Sequence, residues 1–126
     1  QELDHLPGHL VVIGGGYIGC EFAQIFRRLG SKVTVVDRAA RFLPREDKDV
    51  SDELLSVFAH EGIEVVSGAK VVAALGVSGR GVKVTLKTAA GERVVAGSHL
   101  LVAVGRVPNT EGLNLAAADV RVLSRG

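Results

Sequence analysis

Leu10-Val11-Val12-Ile13-Gly14-Gly15-Gly16-Tyr17-Ile18-Gly19 decides how this chain folds. An apolar, β-branched run meets a glycine turn, and the residues after the turn take up helical spacing, so a strand, a tight turn and a helix follow one another. Gly14, Gly16 and Gly19 occupy the Gly-x-Gly-x-x-Gly positions, and each has its own job. Gly14 permits the turn, Gly16 lets the backbone approach a pyrophosphate with no Cβ in the way, and Gly19 lets the helix pack close to the sheet. A phosphate placed there meets a helix N-terminus, whose unpaired N–H groups carry about half a positive charge. The stretch therefore predicts a dinucleotide site that needs no lysine.

Glycine-rich turns are common and the chain has 16 glycines, so the surroundings must carry the argument. Ile18, Phe22, Ile25 and Leu29 recur at helical spacing and predict one apolar stripe facing the core, with Gly30 placed to end the helix. Lys32-Val33-Thr34-Val35-Val36-Asp37 reads as a second strand, buried in a parallel sheet and ending on an acid. Asp37 lies 18 residues beyond Gly19, close to the roughly 20 expected for a carboxylate that reads a ribose.

Pro44, within Arg41-Phe42-Leu43-Pro44-Arg45-Glu46, marks a loop before a second helix. Asp47 or Asp49 can cap that helix, Val50, Leu54, Leu55 and Phe58 form its apolar stripe, and Gly62 follows its end. Ile63-Glu64-Val65-Val66 is the third strand. From Ala69 the pattern becomes extended: Val71–Leu75, Gly81–Lys87 and Arg93–Val95 are separated by the turns Ser78-Gly79-Arg80-Gly81 and Ala89-Ala90-Gly91-Glu92, which predicts an antiparallel meander. Within it Val82, Val84 and Leu86 alternate with Lys83, Thr85 and Lys87, one buried face and one wet. Leu100-Leu101-Val102-Ala103-Val104 is apolar throughout and suits the centre of the sheet. The expected architecture is a Rossmann-like, three-layer α/β domain: a parallel sheet built as β-α-β-α-β, a three-stranded antiparallel meander, and a final central parallel strand.

At 126 residues the chain reads as one domain, spanning residues 1–126. Net charge is +1 with both signs interspersed, and aromatics make up only 4%, which argues against a nucleic-acid groove. Gln1-Glu2-Leu3-Asp4-His5 is acidic and lacks a signal-like apolar core, and no run approaches the ~18 apolar residues of a membrane span, so a cytoplasmic, membrane-free protein is expected. Cys20 is the one cysteine and reads as packing against the sheet rather than as a reactive thiol. His5, His9, His60 and His99 lack metal-ligand spacing, and no metal site is assigned.

Several motifs in order resemble a known family. Leu6-Pro7-Gly8-His9-Leu10 leading into Val11–Glu21, then Leu29-Gly30-Ser31-Lys32-Val33-Thr34-Val35-Val36, then Ala103-Val104-Gly105-Arg106-Val107-Pro108-Asn109-Thr110, is similar to the nucleotide-binding domain of the pyridine nucleotide-disulfide oxidoreductases. Members include dihydrolipoamide dehydrogenase, glutathione reductase and mercuric reductase. The resemblance implies a longer parent with FAD domains around this one, a redox cysteine pair and a dimerisation domain, the parent being a homodimeric, FAD-dependent NAD(P)H:disulfide oxidoreductase. The fragment alone is then inactive and holds no catalytic residue. Residue by residue, the resemblance places Gly14, Gly16 and Gly19 on the pyrophosphate, with Gly15 and Ile18 also against the cofactor, Asp37 on the adenosine ribose, Val71 on the adenine side and Gly105 on the nicotinamide half. Tyr17 matches a position that shields the flavin until nicotinamide arrives, or is an exposed helix-start aromatic. Glu21 matches a carboxylate near nicotinamide and flavin, or is a first-turn acid favoured by the helix dipole. Arg106 and Asn109 match the return to the FAD domain, with Pro108 fixing the turn, or else contact the ligand.

Asp37 favours NADH, since a carboxylate accepts the ribose 2′-hydroxyl and repels a 2′-phosphate. Arg38, with Arg41 nearby, resembles members that take NADPH, so use of both is open. Ala40–Asp47 and Gly97–Arg106 lean toward mercuric reductases within the family. Two other readings fit the same fold: a flavin-dependent NADH oxidase or ferredoxin reductase lacking the disulfide, and a non-catalytic module sensing NAD(H).

Overall fold

Val33, Thr34, Val35 and Val36 are all buried, as expected of a strand covered on both faces. They belong to β2 (Lys32–Val36), which the computed structural model, describing residues 3–123, places between β1 (His9–Ile13) and β3 (Ile63–Val66) in a parallel sheet. The acidic N-terminal stretch is thus described from Leu3 onward, and Gln1 and Glu2 lie outside the described residues.

Side-chain alternation divides the interior into two cores. Leu10, Val12, Val33, Val35 and Ile63 face α1 (Tyr17–Arg28) and α2 (Lys48–Glu61), where they meet Ala23 and Phe58. Val11, Val36 and Val66 face the other way, onto β4 (Lys70–Val77), β5 (Gly81–Thr88) and β6 (Gly91–Gly97), whose Val84, Leu86 and Val95 fill that side. These three strands pair antiparallel in the order β4-β5-β6. Helices, parallel sheet and meander make the three layers expected from the sequence, and Lys83 and Lys87 lie on the exposed face of β5 as its alternation predicts.

One strand sits elsewhere than expected. β7 (His99–Val102) pairs with β1 at the edge of the four-stranded sheet, giving the order β3-β2-β1-β7, rather than at its centre. The apolar run reflects coverage of both faces, not two hydrogen-bonded neighbours: Leu101 packs into the helix-side core and Leu100 into the meander-side core.

The rotation of α1 also departs from expectation. Gly19, Cys20 and Ala23 form its buried face, while Ile18, Ile25 and Leu29 are 51%, 50% and 62% exposed. A Cβ on Gly19 would collide with the Gly14 carbonyl, so this glycine sits on the turn itself and fixes which face of the helix meets the sheet. The small residues allow close approach, and the bulkier stripe is turned aside.

In α2 Phe58 is buried and Leu54 and Leu55 partly so, but Val50 is exposed and Ser51 is buried in its place, its hydroxyl donating to the Phe42 carbonyl. Asp47 occupies the N-cap position without a side-chain cap hydrogen bond, and Gly62 ends the helix at φ 75°. Phe42 and Leu43 drop from the preceding loop into the helix-side core, with the Phe42 and Phe58 rings 5.5 Å apart. The two helices are tied at their ends, where Arg27 Nε donates to the Glu61 carbonyl at 2.6 Å and Arg28 pairs with the Glu61 carboxylate at 2.5 Å.

Candidate nucleotide site

The chain runs from β1 through β2 to β3 on one side and returns as β7 on the other. The strand order therefore reverses between β1 and β7, and in open α/β sheets ligands bind outside the carboxyl ends of the strands at such a switch point. Gly14 opens the turn there. Its amide donates to the Val36 carbonyl at 2.8 Å, its φ is 106°, and a Cβ on it would overlap the backbone carbonyl of Ala103, which follows β7. Only glycine meets both demands, the left-handed conformation and the close approach of the neighbouring strand.

Gly15 carries a further constraint, from outside the turn. Its amide donates to Asp37 Oδ2 at 2.7 Å, and a Cβ on it would stand 2.5 Å from that same oxygen and 2.9 Å from Phe42. Asp37 Oδ1 accepts the Ala39 amide at 2.8 Å. Two backbone donors thus hold the half-buried carboxylate at the end of β2, with lone pairs left for a further donor. The signal for Gly15 was its position inside a run of three glycines, one more than the motif requires.

Gly16 is the opposite case: a Cβ on it would meet nothing within 4 Å. It is the N-cap of α1 with extended backbone, and its carbonyl accepts the Cys20 amide at 2.9 Å. Of the three glycines expected on the pyrophosphate, Gly16 alone has open space over it, at a helix start carrying no acidic residue in its first turn. Glu21 falls beyond that turn, so its reading as a first-turn acid is corrected; it is exposed on the helix.

Tyr17 and Ile18 begin α1 and are 58% and 51% exposed. The Tyr17 hydroxyl donates to the Glu46 carboxylate, and this hydrogen bond to an acid raises the phenol pKa. Cys20 is buried, its thiol directed at the Gly15 carbonyl 3.6 Å away, and burial, with Asp37 and Glu21 adding, pushes its pKa up to about 11. That is a packed thiol, as expected from its place in the sequence.

Beyond the turn the expected residues are more dispersed. Arg38 is exposed after Asp37, whereas an Arg41 guanidinium N–H is committed to the Pro44 carbonyl at 2.6 Å. Val71 packs against the meander-side core that includes Val36. Gly105 is exposed at φ 129° beyond β7. Among the described residues no group of histidine, cysteine or carboxylate side chains could hold a metal ion, and no helix is long and apolar enough to cross a membrane.

The family model for pyridine nucleotide-disulphide oxidoreductases matches residues 1–126, and the chain belongs to that family. It is 42% identical over 126 residues to a mercuric reductase of Streptomyces lividans, covering all of this chain and 26% of that protein. It is 38% identical to a dihydrolipoyl dehydrogenase of Bacillus subtilis, over 99% of this chain and 27% of that protein. The solved structure of the flavoprotein disulfide reductase RclA from Escherichia coli, a Cu(II) complex, superposes with a TM-score of 0.82 at 38% identity, over 98% of this chain and 28% of that one. The chain thus spans about a quarter of the length of these relatives.

Proposed function

We propose that residues 1–126 form a single nucleotide-binding domain that takes NADH, in preference to NADPH, across the turn from Gly14 to Gly19. The observation that carries this reading is the pairing of an open Gly16 at a helix start with an Asp37 carboxylate held by the Gly15 and Ala39 amides. The crowding at Gly14 and Gly19 and the freedom at Gly16 fit a pyrophosphate, since the turn is close-packed everywhere except where backbone would meet the ligand.

The free amides at the start of α1 receive the diphosphate, and Asp37 accepts the 2′-hydroxyl of the adenosine ribose. A charge-assisted hydrogen bond of this kind contributes about 1.5–3 kcal/mol, and the same charge repels a 2′-phosphate. Arg41 is tied to its own loop, which supports NADH as the preferred partner, while the exposed Arg38 is the arginine a 2′-phosphate would meet. Bound nicotinamide supplies hydride-transfer chemistry; the chain supplies binding and orientation. In a longer, homodimeric parent of the mercuric reductase or dihydrolipoyl dehydrogenase type, the domain would present that ring to FAD held by other segments, with Gly105, Tyr17 and Glu21 on the nicotinamide side. The family match and the fractional coverage of the relatives support this placement.

Calorimetric titration with NADH and NADPH, on the chain and on Asp37→Asn, tests the reading. NADH should bind more tightly, and the variant should lose roughly tenfold or more in NADH affinity together with its preference. Tighter NADPH binding would move the ribose-reading role from Asp37 to Arg38, and no binding of either at millimolar concentration would overturn the nucleotide reading.

A further inference from the structure

Each glycine of the turn lacks a side chain for a different reason, and for Gly15 the reason lies in Asp37. Its φ is outside the left-handed region that Gly14 occupies, so the backbone there does not itself demand glycine. What excludes a side chain is crowding: a Cβ would stand 2.5 Å from Asp37 Oδ2, 3.2 Å from Asp37 Cβ and 2.9 Å from a ring carbon of Phe42. The ring is clamped. Phe42 is 1% exposed, it packs on Phe58, and its carbonyl accepts the Ser51 hydroxyl. The Asp37 backbone is clamped too, its amide donating to the Val66 carbonyl and its carbonyl accepting the Ala69 amide, each at 2.9 Å. Only the carboxylate is free to turn. Two amides hold it, Gly15 at 2.7 Å and Ala39 at 2.8 Å, and the first can reach it because no methyl stands between them.

We propose that Gly15 is a specificity-determining position that acts through Asp37: the missing side chain lets the Gly15 amide hold the carboxylate in the orientation that accepts a ribose 2′-hydroxyl. The inference rests on the nucleotide reading above. A carboxylate with one amide on each oxygen keeps lone pairs for a further donor, and an arriving hydroxyl does not have to order it first. A methyl at position 15 would swing Oδ2 off its amide, and Oδ1 would leave the Ala39 amide with it, because the two oxygens turn as one rigid group. The loss then falls on the 2′-hydroxyl contact and so on NADH. NADPH has no favourable contact with Asp37 to lose, and the open side of Gly16, where the diphosphate is proposed to lie, is left as it was. Gly15 is accordingly a positioning residue: it sets the choice between two nucleotides through a neighbouring side chain.

The test is a double-variant cycle of Gly15→Ala and Asp37→Ala, each alone and both together, titrated calorimetrically with NADH and NADPH. Gly15→Ala alone should weaken NADH binding by about tenfold and NADPH binding by no more than about twofold. In the Asp37→Ala background the same alanine should change neither nucleotide by more than about twofold, since its effect passes through a carboxylate no longer there. The free chain gives a second readout, for the Ala39 amide NMR signal should move in Gly15→Ala as it does in Asp37→Ala. Equal loss of NADH and NADPH, repeated in the Asp37→Ala background, would reduce Gly15 to a structural part of the turn and overturn the proposal. An unchanged preference with an unmoved Ala39 signal would overturn it too, leaving the nucleotide reading intact. Should Gly15→Ala alone fail to fold by far-UV circular dichroism, a folded double variant would uphold the conflict with Asp37, and an unfolded one would overturn it. Binding of neither nucleotide to the folded wild-type chain would overturn both readings.

Discussion

Gly16 and Gly19 stand three residues apart under opposite constraints, one facing open space and the other pressed on the Gly14 carbonyl. Alanine therefore has different consequences at the two positions. Gly16→Ala should leave stability within about 0.5 kcal/mol and weaken NADH binding, since only the ligand would meet the new methyl. Gly19→Ala must push helix from turn and should cost about 1–3 kcal/mol, with binding lost as well. Urea denaturation and calorimetry on both variants check the contrast, and equal effects in the two would contradict it. Cys20 gives a second prediction at this scale. Buried, with its pKa at about 11, the thiol should resist a disulfide reagent at neutral pH and react once the chain is unfolded in urea; rapid labelling of the native chain would contradict its burial. Gly14 and Gly19 could be placed in the turn from spacing, because the strand-to-helix turn itself sets their positions. Gly15 could not, because its constraint is a carboxylate and an aromatic ring that come from distant parts of the chain.

At the scale of elements, the existence and type of every strand and both long helices could be read from periodicity and turn residues, since apolar periodicity is a local property. The facing of α1 was another matter. Its stripe of Ile18, Phe22, Ile25 and Leu29 has helical period, yet close packing at Gly19 turned the small residues inward. Similarly, the apolar run of β7 reported coverage on two faces and not its rank in the sheet. A polar row at the amino end of the sheet was not foreseen either. His9 Nε2 lies 2.9 Å from Thr34 Oγ1, the Thr34 hydroxyl donates to Glu64 at 2.9 Å, and Arg93 of β6 pairs with Glu64, so three parallel strands are linked to the meander. Because Thr34 donates to Glu64, its oxygen is left to accept the His9 N–H. Burial lowers the His9 pKa from 6.5 and Lys32 adds to the effect, against opposing pulls from Glu64 and the Ala96 backbone. The unfolded chain thus takes up this proton first. The His9 contribution to stability is full above pH 6.5 and is lost as pH falls below it toward the folded value. Glu64 acts further into acid: burial raises its pKa, but the hydrogen bonds from Arg93 and Thr34 outweigh this, so its contribution is full above pH 4.5 and lost below. Thermal unfolding should show a decline beginning near pH 6.5 in the wild type and a flatter profile there in His9→Gln. Parallel profiles would contradict the assignment.

For the whole molecule, the three layers serve to bring two strand ends together. The helices cover one face of the parallel sheet and the meander the other, leaving the carboxyl ends of β1 and β7 as the place where the strand order reverses. Gly14 lies against Ala103 there, and Asp37 hangs from the end of β2 beside it. The meander takes the place of a third crossover helix between β3 and β7, and its turn residues made it legible in advance. What spacing could not supply was the convergence of Gly15, Asp37, Phe42, Tyr17 and Glu46, which depends on how the loop after β2 folds back beneath the helix start. The most direct test of the account is a backbone amide NMR titration of the chain with NADH. The largest, saturable shifts should fall on Gly15, Gly16, Tyr17, Asp37 and Ala39, with Gly105 following as the nicotinamide end is reached. Shifts concentrated on the outer face of α2 or on the meander, with the glycine turn unmoved, would contradict it.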